Sequence, residues 1–505
     1  MLRVLACLAF SAAAVAQLPL PQRYRDAGVL RWASDAEGGA PFVFLDPARP
    51  ELGEIGFEVE IADELGKMLG IAMRRVQAPF ANLVQTLERD DCDFAMNGLE
   101  PTDARRVQVR FTRPYYVFQQ QLSVAPGTTG VRTLADLAGK RVGALGESQS
   151  HKLLLAHPGI ETVVYESSTT AYEDVLNGRT VAALADLPIA RGLRPLYPRL
   201  VDVGEPFGED YYVIAVRMDG ADLQAVLDEA VGTLIANGTL ERIYRKWNLW
   251  VPAEARLAEP EVVRKVRDGK AAEGAGEIAW GPAMASLGKA ALVTFGISVA
   301  SFALAVVVGL CIALVRLHGP LPLRWCAVGY VEMLRGTPIL VQLLLLYYGL
   351  GSIGWLREMA PFAWVFKTDD YTAVRISILG LALNYSAYEA EIYRGALLAI
   401  PRGQREAAQA LGLTTAQSLR HVIVPQALRL SLAPSTNDFI ALFKDSSIVM
   451  VITVVELTKQ YQMLANASGR FIVLGFVTCG LYLCMSLPLA FAARRFERRL
   501  DKDRA

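Results

Sequence analysis

The sequence predicts a two-lobed, water-soluble α/β domain followed by an all-α membrane domain of five helices. Two observations set this division. Up to about residue 280 polar and apolar side chains interleave, whereas beyond Lys289 long uncharged apolar runs take over. Within the first part, short apolar strands at 29–33, 94–98, 141–144 and 182–185 alternate with amphipathic helices such as 58–69, the order of a layered sheet with helices on its faces. The extended stretches 115–124 and 205–216 are placed to cross between two lobes that close like a hinge.

The first residues, MLRVLACLAFSAAAVAQ, carry Arg3, a short apolar run and Ala14-Val15-Ala16. They read as a secretory signal peptide, 1–16, which places the soluble domain, 17–250, outside the cell. Cys7 follows Arg3 too closely for a lipoprotein signal. The six cysteines and four histidines show no disulfide framework and no ligand-spaced pair, so neither a metal nor a bound cofactor is expected. With 51 basic and 51 acidic side chains the chain has no net charge to attract nucleic acid. Residues 251–284 mix charge, Ala and Gly with little apolar period and read as a tether with room for one short helix, which would hold the soluble domain at high effective concentration near the membrane.

In the membrane domain, 285–505, apolar runs at 290–315, 325–350, 371–398, 434–457 and 471–493 each reach the roughly 20 residues that cross a bilayer. With the soluble part outside, the first span ends inside at Arg316-Leu317-His318 and the fifth ends inside at RRFERRLDKDR, as the positive-inside rule requires. The same count puts 402–426 in the cytoplasm. Glu389 and Glu391, and Lys444-Asp445, interrupt spans with charge. Such groups need partners: both glutamates are expected to pair with Arg394 near the inner interface, the alternative being a role in the translocation path. Glu332, Arg335, Gly336, Thr337, Pro338 and Gln342 are read as packing determinants.

The cytoplasmic segment EAAQALGLTTAQSLRHVIVP resembles the coupling loop of ATP-binding-cassette importer permeases, through Glu406, Ala407, Ala408, Gly412 and Pro425. The resemblance implies a type I importer permease fold, a homodimer in a bacterial inner membrane, and separate ATPase subunits that use ATP and Mg. No GxxxxGK followed by Ser or Thr occurs, so ATP hydrolysis is assigned to those partners.

The run GLEPTDARRVQVRFTRPYY is similar to the hallmark of the polar amino-acid solute-binding proteins, which have the type II periplasmic-binding-protein fold. That likeness implies that Arg105 clamps the ligand α-carboxylate with two parallel donors. It also implies that Phe80 packs on the ligand, Gly98 offers a carbonyl to its ammonium, Ser148 completes the carboxylate site and Asp186 holds the amino group. Asp35, Glu100 and Thr102 complete the candidate set. The chain departs from the family pattern at Glu100, usually Ser or Thr, at Glu147, often Thr, and at Glu37, Gly38 and Gly39, where an aromatic is usual. Asp35, Glu37, Glu100, Glu147 and Asp186 around one arginine would favour a basic amino acid. Alternatively Glu100 pairs with Arg105 or Arg106. Two rivals differ in class. A ligand-gated channel would interrupt the binding domain with its membrane segment and carry a filter loop like TVGYG, and neither is present; a tethered receptor would have no ATPase partner.

Overall fold

A computed structural model describes residues 18–36, 40–46, 49–271, 277–350, 353, 355–356, 359, 362–367, 369 and 371–502. The expected signal peptide and the Glu37-Gly38-Gly39 departure lie outside them. The chain forms two units, the first made of residues up to 276 except 163–166 and 173–180, the second of those two segments and the residues from Glu277 on.

Ahead of Glu277 the described strands are β1 Val29–Ser34, β2 Phe44–Leu45, β3 Glu54–Ile55, β4 Ala72–Gln77, β5 Phe94–Ala95, β6 Val109–Val124, β7 Arg141–Leu145, β8 Glu161–Tyr165, β9 Ala182–Asp186 and β10 Val201–Arg217. Eight of them make one sheet in the order β4-β1-β5-β10-β6-β9-β7-β8, with β2 and β3 in a separate pair. β1 runs parallel to β4 and β5, β7 runs parallel to β9, and β6 and β10 are antiparallel to each other. Two apolar cores result. One gathers Leu30, Phe57, Leu65, Phe94 and Phe111, the other Leu122, Val142, Leu154 and Leu184. β6 and β10 are the long crossings the sequence predicts. Their register slips between Val203 and Phe207, Phe207 and Asp210, Tyr212 and Val213, and Val213 and Ala215, and such slips let paired strands bend. At the crossing Tyr212 stacks on Phe118 at 4.3 Å and on Tyr116 at 5.6 Å.

The stretch read as a tether is partly built into this unit. Pro252–Ala258 forms a 3-10 helix and Pro260–Arg267 an α-helix, whose Val262 and Val266, one turn apart, enter the first core with Leu257. The buried Glu254 carboxylate accepts the Val117 N–H on β6 at 3.1 Å, and Arg256 pairs with Glu209 on β10 at 2.7 Å. Both crossing strands are therefore strapped by residues that look like linker in the sequence.

In the second unit the helix boundaries differ from those of the five expected spans. By length and apolarity, among the described residues, Trp280–His318 and Phe471–Phe491 qualify, and Leu321–Gly336 with Ile339–Gly349 forms a pair bent by 109°. The bend falls at Thr337-Pro338, where proline disfavours helix in the residue before it and supplies no N–H. The third expected run matches helix Thr372–Leu398. The fourth, set at 434–457, is instead a helix from Val424 to Asp445 with Pro434 inside it, then a 3-10 turn Ser446–Ile452, then a new helix from Leu457. Apolar content alone ran these pieces together. Gly309 marks a close helix approach, because a Cβ there would lie 2.7 Å from Cβ of Glu389. Of the two glutamates expected to pair with Arg394, only Glu391 does, at 2.7 Å, and it also meets Arg316. Glu389 is buried and accepts the Ser435 hydroxyl at 2.7 Å. Five residues before Arg394, it lies on a different face of the helix and points to a different neighbour.

Candidate functional site

Four short elements present the candidate ligand site. After β5 the chain turns at Gly98, with φ +60, and a Cβ there would stand 2.8 Å from the Phe42 ring, so only glycine fits. The Gly98 N–H donates to Glu58 Oε1 at 2.7 Å. Thr102 then caps the short helix Asp103–Arg106 through its side-chain oxygen, which orients Arg105. On the other lobe Ser148 caps Gln149–Leu155, and Asp186 ends β9.

The structure brings Phe80, Glu100, Arg105 and Gln149 together. The Arg105 guanidinium, itself nearly buried, lies 5.3 Å from the Phe80 ring centroid. Its Nη1 donates to Glu100 Oε2 at 2.5 Å and to the Glu100 carbonyl at 3.2 Å, and Nη2 reaches the Glu147 carbonyl at 3.5 Å. Glu100 is 1% exposed, and its Oε1 accepts the Gln149 N–H at 3.0 Å. Of the two readings open for Glu100, the internal pair with Arg105 is the one formed. Arg106 instead donates to the Gly269 carbonyl at 3.1 Å.

Asp186 is buried against Gln120 at 2.7 Å and the Tyr212 hydroxyl at 2.5 Å. Burial, reinforced by the Glu100 charge, pushes its carboxyl up to about 7, while Tyr212 and Gln120 hold it back. The Asp35 carboxylate accepts the Gln77 amide at 3.0 Å and the Phe80 N–H at 2.8 Å, so it orients Phe80. Ser148 spends its hydroxyl on the Leu145 carbonyl at 2.7 Å and on the His151 N–H at 3.2 Å.

Sequence reasoning missed four groups here. Glu58 is fully buried, accepts the Tyr115 hydroxyl at 2.5 Å, and is pushed up to about 7 by burial. Asp210 is raised to about 6, again by burial first. Lys152 is lowered by burial and then by Arg105. Gln120 orients Asp186, and the polar pair Gln120-Gln121 inside an apolar strand was the available signal.

In the second unit the EAA segment forms helix Arg402–Ala410, a turn at Gly412 with φ +80, and a Thr414 to Gln417 capping box. Glu406, Ala407, Gly412 and Pro425 are exposed and Ala408 is buried, so the hairpin keeps one face on the bundle and offers the other. Separately, a cavity of about 530 Å³ opens at the Thr337-Pro338 break, lined by Arg335, Asn384, Tyr385, Asp438 and Asp445 among others.

An α/β ligand-binding fold joined in one chain to a helical membrane unit defines a component of a solute transport system. The family model of bacterial extracellular solute-binding proteins, family 3, matches residues 30–249, and that of the binding-protein-dependent transport system inner membrane component matches residues 305–502. The glutamine transport system permease protein GlnP of Escherichia coli strain K12 is 38% identical over 220 residues, 43% of this chain and 94% of that protein. The chain belongs to the family of binding-protein-dependent transport system inner membrane components. Other relatives include the L-cystine transport system permease protein TcyB of Bacillus subtilis, 33% identical over 41% of this chain and 84% of that protein. The octopine transport system permease protein OccM of Rhizobium radiobacter is 36% identical over 41% and 86%. Among solved structures, ArgBP of T. maritima (a P235GK mutant) is 26% identical, covering 45% of this chain and 98% of that one with a TM-score of 0.42.

Proposed function

We propose that this chain is the capture and conduction subunit of an ATP-driven importer of polar amino acids, with a preference for basic ones. The soluble unit, outside the cytoplasmic membrane of a bacterium, closes on an amino acid. The membrane unit works as a homodimer with two separate ATPase subunits, which use ATP and Mg and engage the exposed face of Glu406, Ala407, Gly412 and Pro425. Ala408 anchors that face to the bundle. Arg105 receives the carboxylate and Asp186 the amino group, with Phe80, Gly98, Glu100, Thr102, Ser148 and Asp35 shaping the site. The observation that carries this reading is the union of a two-lobed binding unit and an exposed helix-turn-helix within one polypeptide.

A basic preference is supported by the buried acidic side chains Asp186 and Asp210, each near enough to Glu100 to feel its charge. The test is uptake of labelled L-arginine and L-glutamine into liposomes holding this chain and its co-purified ATPase. ATP-dependent accumulation of arginine, several-fold above glutamine, is expected. Accumulation that needs no ATP, or no accumulation of either, would reject the reading.

A further inference from the structure

The Arg105 guanidinium already holds a carboxylate from its own chain. Glu100 Oε2 sits 2.5 Å from Arg105 Nη1, and the other oxygen, Oε1, accepts the Gln149 N–H at 3.0 Å. Arg105 belongs to the lobe built on β1, β4 and β5, whereas Gln149 opens a helix of the lobe built on β7 and β9. One buried carboxylate thus joins a cation of one lobe to a main-chain donor of the other, beside Ser148. A bound carboxylate ligand would need these same donors.

We propose that Glu100 is an internal competitor for the ligand carboxylate. It holds the lobes together in the absence of solute, and an amino acid enters by exchanging its carboxylate for that of Glu100. Two carboxylates on one guanidinium repel, so each weakens the hold on the other. The displaced Glu100 has a second cation at hand, because Lys152 is near enough to feel the charges of Arg105, Glu100, Glu147 and Asp210. The exchange lowers affinity for every ligand that carries a carboxylate and leaves ligands without one unaffected. Glu100 therefore sets both the affinity and the discrimination of the site. This inference rests on the proposed amino-acid function.

The experiment is calorimetry on the full chain in lipid nanodiscs. The probes are L-arginine, L-lysine and L-glutamine, each beside its decarboxylated counterpart, agmatine, cadaverine and 4-aminobutanamide. Wild type is compared with Glu100→Ser and with the near-isosteric Glu100→Gln, and thermal unfolding verifies that each variant folds. Removing a competing charge-assisted bond should tighten the preferred amino acid by about tenfold or more in both variants, with no gain for its amine. Unchanged or weaker amino-acid binding in folded variants would overturn the proposal, as would an equal gain for the amine. An Arg105→Ala control separates the two levels. If wild type binds an amino acid, Arg105→Ala loses it and Glu100→Ser gains nothing, only the competitor role fails. If no amino acid binds to any form, the proposed function fails with it.

Discussion

Arg105 and Glu58 show how single buried charges shape the soluble unit. Replacing Arg105 by Ala leaves Glu100 buried without its guanidinium partner, a change on the scale of roughly 3–5 kcal/mol for a broken buried pair. If the ligand carboxylate also depends on this guanidinium, affinity falls by about two to three decades, measured by calorimetry. Glu58 makes a different prediction. Its carboxyl is raised in the fold, so the unfolded chain loses its proton first. Its favourable contribution is complete below the ordinary carboxylate range and is lost as pH climbs to about 7. Stability of the chain should fall over that window by on the order of 3 kcal/mol from this residue. In Glu58→Gln the melting temperature should vary less with pH between about 4.5 and 7, and an unchanged profile would show that Glu58 ionises normally. The motif around Arg105 was legible because its turn, cap and arginine are contiguous in sequence. Glu58, Tyr212 and Lys152 were not, since each reaches the site from a distant element through packing that no local pattern encodes.

At the scale of elements, the short strap after the soluble unit matters most. Leu257, Val262 and Val266 are buried in the core, and Glu254 and Arg256 hold β6 and β10 where those strands cross. Leu257→Ala should destabilise this unit by about 2–4 kcal/mol, the cost of an apolar truncation at a buried site, read as a lowered melting temperature. A true linker residue would give no shift. The packing of this stretch was not legible because an eight-residue helix with only two or three apolar positions has weak periodicity, and charge-rich composition hides it. In the membrane unit, helix breaks at Thr337-Pro338 and Ile452-Thr453 were missed for the opposite reason: apolar runs stay continuous across a bend. The Gly412 turn, by contrast, was plain from its sequence neighbours. A Gly412→Val chain must place a β-branched residue at φ +80, which is strained. It should keep ligand affinity and lose ligand stimulation of ATP hydrolysis; full stimulation would show that the turn transmits nothing.

At the scale of the whole molecule, two family regions lie in one polypeptide, and the exposed hairpin between helices Thr372–Leu398 and Val424–Asp445 is the surface on which the transport reading turns. Its sidedness is the most direct test. Cysteine placed at Glu406, in a chain whose own exposed cysteines Cys311, Cys326, Cys479 and Cys484 are replaced by Ser, can be labelled from either side of intact cells and crosslinked in membranes that contain the ATPase. The account predicts labelling only by a reagent that reaches the cytoplasm, and a crosslink to an ATP-hydrolysing subunit. Labelling from outside by an impermeant reagent would contradict it.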